Sequence, residues 1–215
     1  MNQASTTPGR LIVLEGLDGA GTTSQAKRLC QALSDRGMAN HLTRQPSDGP
    51  IGKLLRQMLT GGHRMPDTSA PNQGVFGLLF AADRMDHIQR EVEPALAAGH
   101  IVVSDRWYHS SFAYQGTDAD ATWISILNQR ARVPDLTLFL RVAPEVAAHR
   151  RMLAGRVQEL FEDLPMQQRV AAGYERVNAH LSPTQRIEIL DGEQSIESVW
   201  QTIWQRTTEL LQLQP

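Results

Sequence analysis

One stretch near the start of the chain limits the possible folds more than any other. The apolar run Leu11–Leu14 is followed by Gly16, Gly19 and Gly21, and then by a helix-forming segment that ends near Arg36. A short run of aliphatic residues predicts a buried strand, and closely spaced glycines predict a tight turn. The sequence therefore predicts a strand that turns sharply into a helix, as in a sheet covered by helices.

The rest of the chain repeats this alternation of strand and helix. Further apolar runs that predict strands lie at 100–105, 135–142 and 186–190, a short strand is expected near 41–43, and helical segments lie at 50–59, 74–98 and 195–213. This alternation predicts an α/β fold in which a parallel five-stranded sheet carries helices on both faces. No repeat or low-complexity segment divides the chain, and we expect one domain over residues 1–215.

The composition excludes several classes of protein. A formal net charge of −2 provides no basic excess for general nucleic-acid binding. No run of about 18 apolar residues predicts a membrane span, and the N-terminal residues lack an apolar signal segment. The single cysteine, Cys30, permits no internal disulfide and suits a reducing compartment. We therefore expect a soluble cytoplasmic protein that binds neither nucleic acid nor membrane.

The glycine loop matches a phosphate-binding pattern except at one position. In EGLDGAGTTSQ, Gly16 and Gly21 have the spacing of G-x-x-x-x-G-K-[ST], but Thr22 occupies the lysine position before Thr23. The glycines allow backbone N–H groups to converge on an anion, and the helix N-terminus adds a favourable dipole. Thr23 or Ser24 would supply the hydroxyl for Mg²⁺. A tight turn without a ligand is the alternative interpretation.

A second motif, HIVVSDRWYHSSFAYQG, begins with a predicted strand that ends at Asp105. The carboxyl ends of parallel strands form the edge at which open α/β sheets bind ligands. Asp105 would therefore lie beside the glycine loop and bind Mg²⁺ or its waters, while Arg106 would contact a phosphate. A simple ion pair between these two neighbours is the alternative.

Six segments in order resemble the thymidylate kinase family, over residues 10 to about 200. DRWYHSSFAYQ resembles the family signature D-R-x-x-x-S-x-x-A-Y-Q, and EGLDGAG resembles its loop. TRQPSDGPIG, LLFAADRMDHI and VPDLTLFLRV resemble three further segments, and RVQELFEDLPMQQRVAAGY resembles the lid and the helix after it. The resemblance implies a P-loop nucleoside-monophosphate-kinase fold with a mobile lid at about 150–164. It also implies a homodimer that phosphorylates dTMP to dTDP with ATP and Mg²⁺.

The resemblance implies a role for each matching residue. ATP would contact the loop residues Gly16, Leu17, Asp18, Gly19, Ala20, Gly21, Thr22, Thr23 and Ser24. dTMP would contact Asp18, Arg44, Phe80, Arg84, Arg106, Ser111, Tyr114, Gln115 and Tyr174. Mg²⁺ would be held by Thr23 and Asp105. The groups expected to act in catalysis are Asp18, Arg106, Arg151 and Arg156.

Two of these assignments have a structural alternative. Phe80 and Arg84 are four residues apart on one predicted helix, so both face the same way, towards the base in the family. Phe80 could instead be an ordinary core residue, and so could Tyr174.

The chain departs from the family pattern where the phosphates would bind. Thr22 removes a lysine, and the lid sequence D-R-[FY]-E appears as 159–162 without its arginine. Arg151 and Arg156 are the expected sources of the missing charge, with Arg150 in reserve, although a solvated basic helix end is the alternative. Gln45 replaces an acidic residue, and Ser47-Asp48 replaces two glycines. Two alternatives therefore stay open. The chain could be a related kinase whose phosphate acceptor is another nucleotide, such as dUMP, or it could be a non-catalytic nucleotide-binding protein.

Overall fold

Five parallel strands form the centre of the computed structural model, which describes residues 9–61, 73–117, 119–155 and 159–213. The strands are β1 (Arg10–Gly16), β2 (Asn40–Arg44), β3 (Ile101–Asp105), β4 (Leu136–Arg141) and β5 (Ile187–Asp191). Their order across the sheet is β2-β3-β1-β4-β5, and each neighbouring pair is parallel. The predicted five-stranded parallel sheet is confirmed.

Helices connect the strands and cover the sheet. They are α1 (Thr22–Asp35), α2 (Pro50–Leu59), α3 (Gln73–His87), α4 (Glu93–Ala97), α5 (Tyr108–Tyr114), α6 (Ala121–Asn128), α7 (Pro144–Leu153), α8 (Leu164–Leu181) and α9 (Ile196–Leu211). Two buried apolar clusters lie on β1, one containing Ile12 and Leu14 and the other Leu11 and Val13. Alternate strand residues point to opposite faces, so both faces of the sheet are covered. No helix in the described ranges is long and apolar enough to cross a bilayer.

The single helix predicted over 74–98 is wrong in one respect. A π-helical segment, Ile88–Val92, separates α3 from α4, and the N–H of Glu93 bonds to the carbonyl of Ile88, five residues back. Pro94 explains the change, because it has no N–H to donate and its ring crowds the carbonyl of Arg90. The wider turn accommodates the proline without ending the helix.

The strand register brings distant residues to one edge of the sheet. Asp105 at the end of β3 is opposite Arg44 at the end of β2 and opposite Leu14 of β1. β1 continues to Gly16 and then enters the glycine loop, with α1 beginning at Thr22. The carboxyl edge therefore gathers the loop, Arg44 and Asp105 within one crevice, as the motif spacing predicts.

Candidate active site

The glycine loop has a backbone conformation that its sequence explains. Gly19 and Gly21 have φ angles of 95° and 99°, which side chains rarely adopt. A Cβ atom on Gly19 would lie 2.5 Å from the carbonyl oxygen of Ala147 in α7. Gly21 is the N-cap of α1 and provides no side-chain cap to the first N–H groups of that helix. The loop and helix end therefore provide backbone donors for an anion.

Asp105 joins this loop at its far end. The hydroxyl of Thr23 donates a hydrogen bond of 2.5 Å to Oδ2 of Asp105, while the other carboxylate oxygen, Oδ1, is buried and has no hydrogen-bond partner among the described residues. A hydroxyl beside a carboxylate with a free buried oxygen fits a small divalent cation that takes its other ligands from phosphates and water. No cluster of three or more His, Cys, Asp or Glu ligands occurs in the described ranges.

Arg106 connects the glycine loop to α8. Its guanidinium donates to Oδ1 of Asp18 at 2.6 Å, to the hydroxyl of Tyr174 at 3.0 Å and to the carbonyl of Gly16. The hydroxyl of Tyr114 donates to the other oxygen of Asp18 at 2.8 Å. Burial opposes the charge on Arg106, but the negative charge of Asp18 raises its pKa well above the ordinary value. Arg106 is therefore a permanent, largely buried cation at the loop.

An inner cavity lies between α3, α5 and the segment after α7. Five residues predicted to bind a nucleoside line it, namely Phe80, Arg84, Ser111, Tyr114 and Gln115. Apolar walls come from Leu59, Trp107, Leu160 and Phe161. An aromatic plane, a guanidinium and small polar groups around a concave space suit a flat ligand with a polar edge.

Arg84 is held rigidly in this inner cavity. Its side chain is buried and donates to Gln45 Oε1 at 2.9 Å, to Ser111 Oγ at 2.9 Å and to the side-chain oxygen of Asn128. Burial lowers its pKa to about 10, so the group stays charged at neutral pH. The sequence reasoning missed Asn128, which lies on α6, 44 residues away along the chain. Gln45, which replaces an acidic residue of the family pattern, accepts a hydrogen bond directly from Arg84.

A second space, the outer cleft, lies above the glycine loop. It is lined by Asp18, Gly19, Gly21, Thr22, Thr23, Ser24, Asp105 and the arginines Arg44, Arg56, Arg106, Arg150 and Arg151. Six residues line both this cleft and the inner cavity, among them Asp18 and Arg106, so the ion pair of these two lies on the shared boundary. Converging arginines and backbone donors suit phosphate groups.

Arg56 was not predicted from the sequence. From α2 it donates to the carbonyls of Pro46 and Ser47, each at 2.6 Å, and to Oδ1 of Asp48 at 2.8 Å. The same Asp48 oxygen accepts a hydrogen bond from Arg44 at 2.9 Å. A carboxylate oxygen therefore lies between two guanidinium groups at the rim of the outer cleft. The i, i+12 spacing of the two arginines carries no recognisable signal.

Two arginines of the predicted lid lie within the described residues, and their positions differ. Arg151 is buried, donates to the backbone carbonyls of Asp18 and Glu162, and packs against the glycine loop. Arg150 also lines the outer cleft, and it donates to the carbonyl of Gly192 at 2.9 Å. Arg156 lies outside the described residues. Lys27 of α1, a second conceivable source of the missing lysine charge, is exposed and does not line the outer cleft.

The segment 159–162, where the family pattern has an arginine, contributes to the inner cavity. The N–H of Leu160 donates to the carbonyl of Leu59 at 2.9 Å, which joins this segment to the end of α2. The ring of Phe161 meets Phe76 edge to face, with centroids 5.2 Å apart. Leu160 therefore adds apolar surface to the cavity at the position of the arginine in the family pattern, and Phe161 adds the aromatic side chain that this pattern also has.

Tyr174 does not line the inner cavity. The side chain is fully buried, and its hydroxyl donates to Glu15 Oε2 at 2.9 Å and accepts from Arg106. Its ring packs on Phe139 with centroids 5.0 Å apart. The structure therefore places Tyr174 behind Arg106 rather than at the surface of the cavity, which is nearer to the core alternative than to direct ligand contact.

Comparison with known proteins gives one family. The family model described as thymidylate kinase matches residues 14–203. A probable thymidylate kinase of Thermococcus kodakarensis is 37% identical over 192 residues, which is 87% of this chain and 92% of that protein. Thymidylate kinases of Dinoroseobacter shibae and of a Synechococcus species are 38% and 40% identical, over 79% and 82% of this chain and 83% and 91% of their own lengths.

Proposed function

The chain belongs to the thymidylate kinase family, and from this premise we propose that it transfers the γ-phosphoryl group of ATP to dTMP, giving dTDP and ADP. The observation that carries the proposal is the junction of the two spaces at Asp18 and Arg106. A nucleoside in the inner cavity would place its phosphate at that junction. The phosphate would then face the loop that binds the donor.

On the acceptor side, we propose that Phe80 stacks on the thymine ring while Arg84 and Ser111 bind its polar edge. Tyr114 and Gln115 complete the wall of the inner cavity. Arg44 and Arg106 bind the acceptor phosphate from the outer cleft. An oxygen of that phosphate attacks the γ-phosphorus, and the bond to the ADP oxygen breaks. Because a phosphate oxygen is already anionic, positioning and charge neutralisation supply most of the catalysis.

On the donor side, we propose that the backbone of residues 16–24 binds the ATP phosphates. Thr23 and Asp105 would hold Mg²⁺, and the unpaired buried Oδ1 of Asp105 supports that assignment. The ion, when bound, neutralises charge on the transferring phosphates. Asp18 holds Arg106 at the same point through a 2.6 Å ion pair.

The missing lysine charge is the least conventional part of the site. Thr22 keeps its backbone N–H, and we propose that Arg151 provides the cation. The support is its position, buried against the glycine loop at the edge of the outer cleft. Arg156, the second predicted lid arginine, stays a prediction. The lid boundaries of about 150–164 and the single domain over 1–215 are likewise proposals.

We further propose that the protein is a cytoplasmic homodimer. Exposed apolar side chains on two neighbouring helices support self-association, since Leu78 and Met85 are seven residues apart on α3 and Leu54 lies on α2. Exposed apolar side chains of this kind, two of them on one face of α3, are available for packing against another copy of the chain. Sedimentation of the wild type and of a Leu78→Glu, Met85→Glu variant tests this, and a monomeric wild type would exclude the dimer.

The assay that tests the function offers dTMP, dUMP, dCMP, dGMP and dAMP separately with ATP and Mg²⁺. We expect dTDP to form fastest, with ADP in equal amount. Preferred phosphorylation of dUMP or another nucleotide would establish the shifted-acceptor alternative instead. Binding of dTMP without any dTDP at high enzyme concentration would establish the non-catalytic alternative. An Arg84→Met variant, which loses the buried guanidinium, should turn over dTMP poorly and serves as the control for contaminating kinases.

A further inference from the structure

Glu15 is a buried carboxylate that lies outside both spaces. It lies at the end of β1, is 0% exposed, and lines neither the inner cavity nor the outer cleft. Its Oε1 accepts hydrogen bonds from the backbone N–H groups of Trp107 at 2.7 Å and Ser110 at 3.3 Å. Its Oε2 accepts from the hydroxyls of Ser110 at 2.7 Å and Tyr174 at 2.9 Å. One side chain thus joins β1, the start of α5, and α8.

All of these contacts surround Arg106. The backbone of Arg106 is left-handed, with a φ of 79°, a conformation that is unfavourable for a non-glycine residue and persists only where its surroundings impose it. Its own N–H donates to Leu14, the residue before Glu15, and the next N–H, of Trp107, donates to Glu15 itself. The strained residue is therefore fixed on both sides by the end of β1.

The guanidinium of Arg106 is fixed through the same carboxylate. Its Nη1 donates to the hydroxyl of Tyr174 at 3.0 Å, and that hydroxyl donates to Glu15. Burial raises the pKa of Tyr174 well above its ordinary value, so the hydroxyl keeps its proton. Hydrogen bonds in such a chain polarise one another in the same direction.

We propose that Glu15 and Tyr174 are positioning residues that hold Arg106 where the two spaces meet, so that its guanidinium meets the acceptor phosphate without rearrangement. This inference rests on the proposed function, because it assumes that the phosphate of dTMP binds there. It replaces the expected contact between Tyr174 and dTMP by an indirect one. A network that only stabilises the fold is the competing explanation.

Two buried tyrosines allow the explanations to be separated. Tyr174→Phe keeps the ring that packs on Phe139 and removes only the hydroxyl. Tyr108→Phe is the matched control, since Tyr108 is also buried and its hydroxyl donates to Gln185 at 2.7 Å, without contact to Arg106. The measurements are the Kd of dTMP by calorimetry, the KM values of dTMP and ATP, and Tm.

We expect both variants to lose some thermal stability. Of the two, only Tyr174→Phe should weaken the binding of dTMP, with Kd and KM higher by about 2- to 10-fold, which corresponds to the net contribution of one hydrogen bond. The KM of ATP should not change. Glu15→Gln should weaken dTMP as well, and its effect should not add to that of Tyr174→Phe, because both act through one chain of hydrogen bonds.

Equal dTMP affinity in Tyr174→Phe, Tyr108→Phe and the wild type would overturn the positioning role and leave the kinase function intact. Equally weakened binding of ATP and dTMP in Tyr174→Phe would also overturn the positioning role, because that result indicates a general loss of structure. A wild-type protein that binds another nucleoside monophosphate but not dTMP would overturn the proposed substrate. The same calorimetric comparison with that nucleotide would then test the positioning role independently.

Discussion

Asp48 offers the sharpest test of how the acceptor phosphate is bound. Its Oδ1 accepts hydrogen bonds from Arg44 and Arg56, at the position that a phosphate oxygen between two guanidinium groups would take. In the proposed complex, Arg44 must leave Asp48 to bind the phosphate of dTMP. Asp48→Asn keeps the size of the side chain and removes its charge. We therefore expect this variant to bind dTMP more tightly.

The exposure of the three side chains limits the size of the effect. Asp48 is 69% exposed, Arg44 56% and Arg56 30%, so each ion pair contributes about 0.2–1 kcal/mol. In Asp48→Asn, Arg44 no longer has to break this pair, and the phosphate dianion of dTMP is repelled less. Together these changes should favour dTMP binding by about 0.5–1 kcal/mol. That free energy corresponds to a KM for dTMP that is lower by about 2- to 5-fold. kcat and the KM of ATP should stay near their wild-type values.

Steady-state assays at low and at roughly 0.5 M salt measure this effect, which should shrink at high salt because exposed charges are screened. Glu175→Gln is the control, since it breaks an ion pair of similar exposure with Arg141 that lies outside both spaces. An unchanged or higher KM for dTMP in Asp48→Asn would refute the reasoning. Asp48 would then orient Arg44 for the substrate rather than compete with it.

Three other predictions address charge, base recognition and pH. Arg151→Ala should lower kcat by about 10- to 150-fold, which is the range for the loss of one charge-assisted hydrogen bond. Adding Thr22→Lys to this variant should restore part of the lost activity. Equal turnover in all variants would exclude the idea that Arg151 replaces the missing lysine charge. Arg84→Lys should raise the KM of dTMP at least about tenfold, because a single ammonium cannot reproduce three fixed hydrogen bonds, and retention of wild-type KM would contradict that account. Burial lowers the pKa of His109 to about 3, against 6.5 in the unfolded chain, so its contribution to stability is complete above pH 6.5 and is lost as the pH falls towards 3. His109→Phe should therefore reduce the loss of unfolding free energy between pH 7 and pH 5 by about 2 kcal/mol in urea titrations, and an unchanged loss would contradict the assignment.

The sheet could be predicted from the sequence because its signals are local. Except for β2, whose sequence is NHLTR, each strand is a short and largely apolar run that a turn or helix follows, and β1 and β3 are buried along almost their whole length. The π-helical segment before Pro94 could not be predicted from the hydrophobic pattern, which is the same for an uninterrupted helix. Only the missing N–H of the proline indicates it, and a proline can also end a helix.

The site could be predicted only in part. Arg84 and Phe80 share a cavity because i, i+4 residues on a helix face the same way. The partners of Arg84, by contrast, come from the residue after β2, from α5 and from α6, and no local pattern links Gln45 or Asn128 to it. The burial of Tyr174 likewise could not be predicted from the sequence, because a tyrosine on an amphipathic helix is equally suited to a core and to a pocket.

The position of Asp18 has a consequence for how the two nucleotides influence each other. This carboxylate belongs to the loop proposed to bind ATP, yet it contacts Arg106 and Tyr114, which border the inner cavity. A shift of the loop on ATP binding would move a direct partner of the acceptor site, and a shift on dTMP binding would move the loop. Thermodynamic linkage requires such an influence to be mutual, so each nucleotide changes the affinity for the other by the same factor. The enzyme would then sense the donor and the acceptor as a pair rather than one at a time.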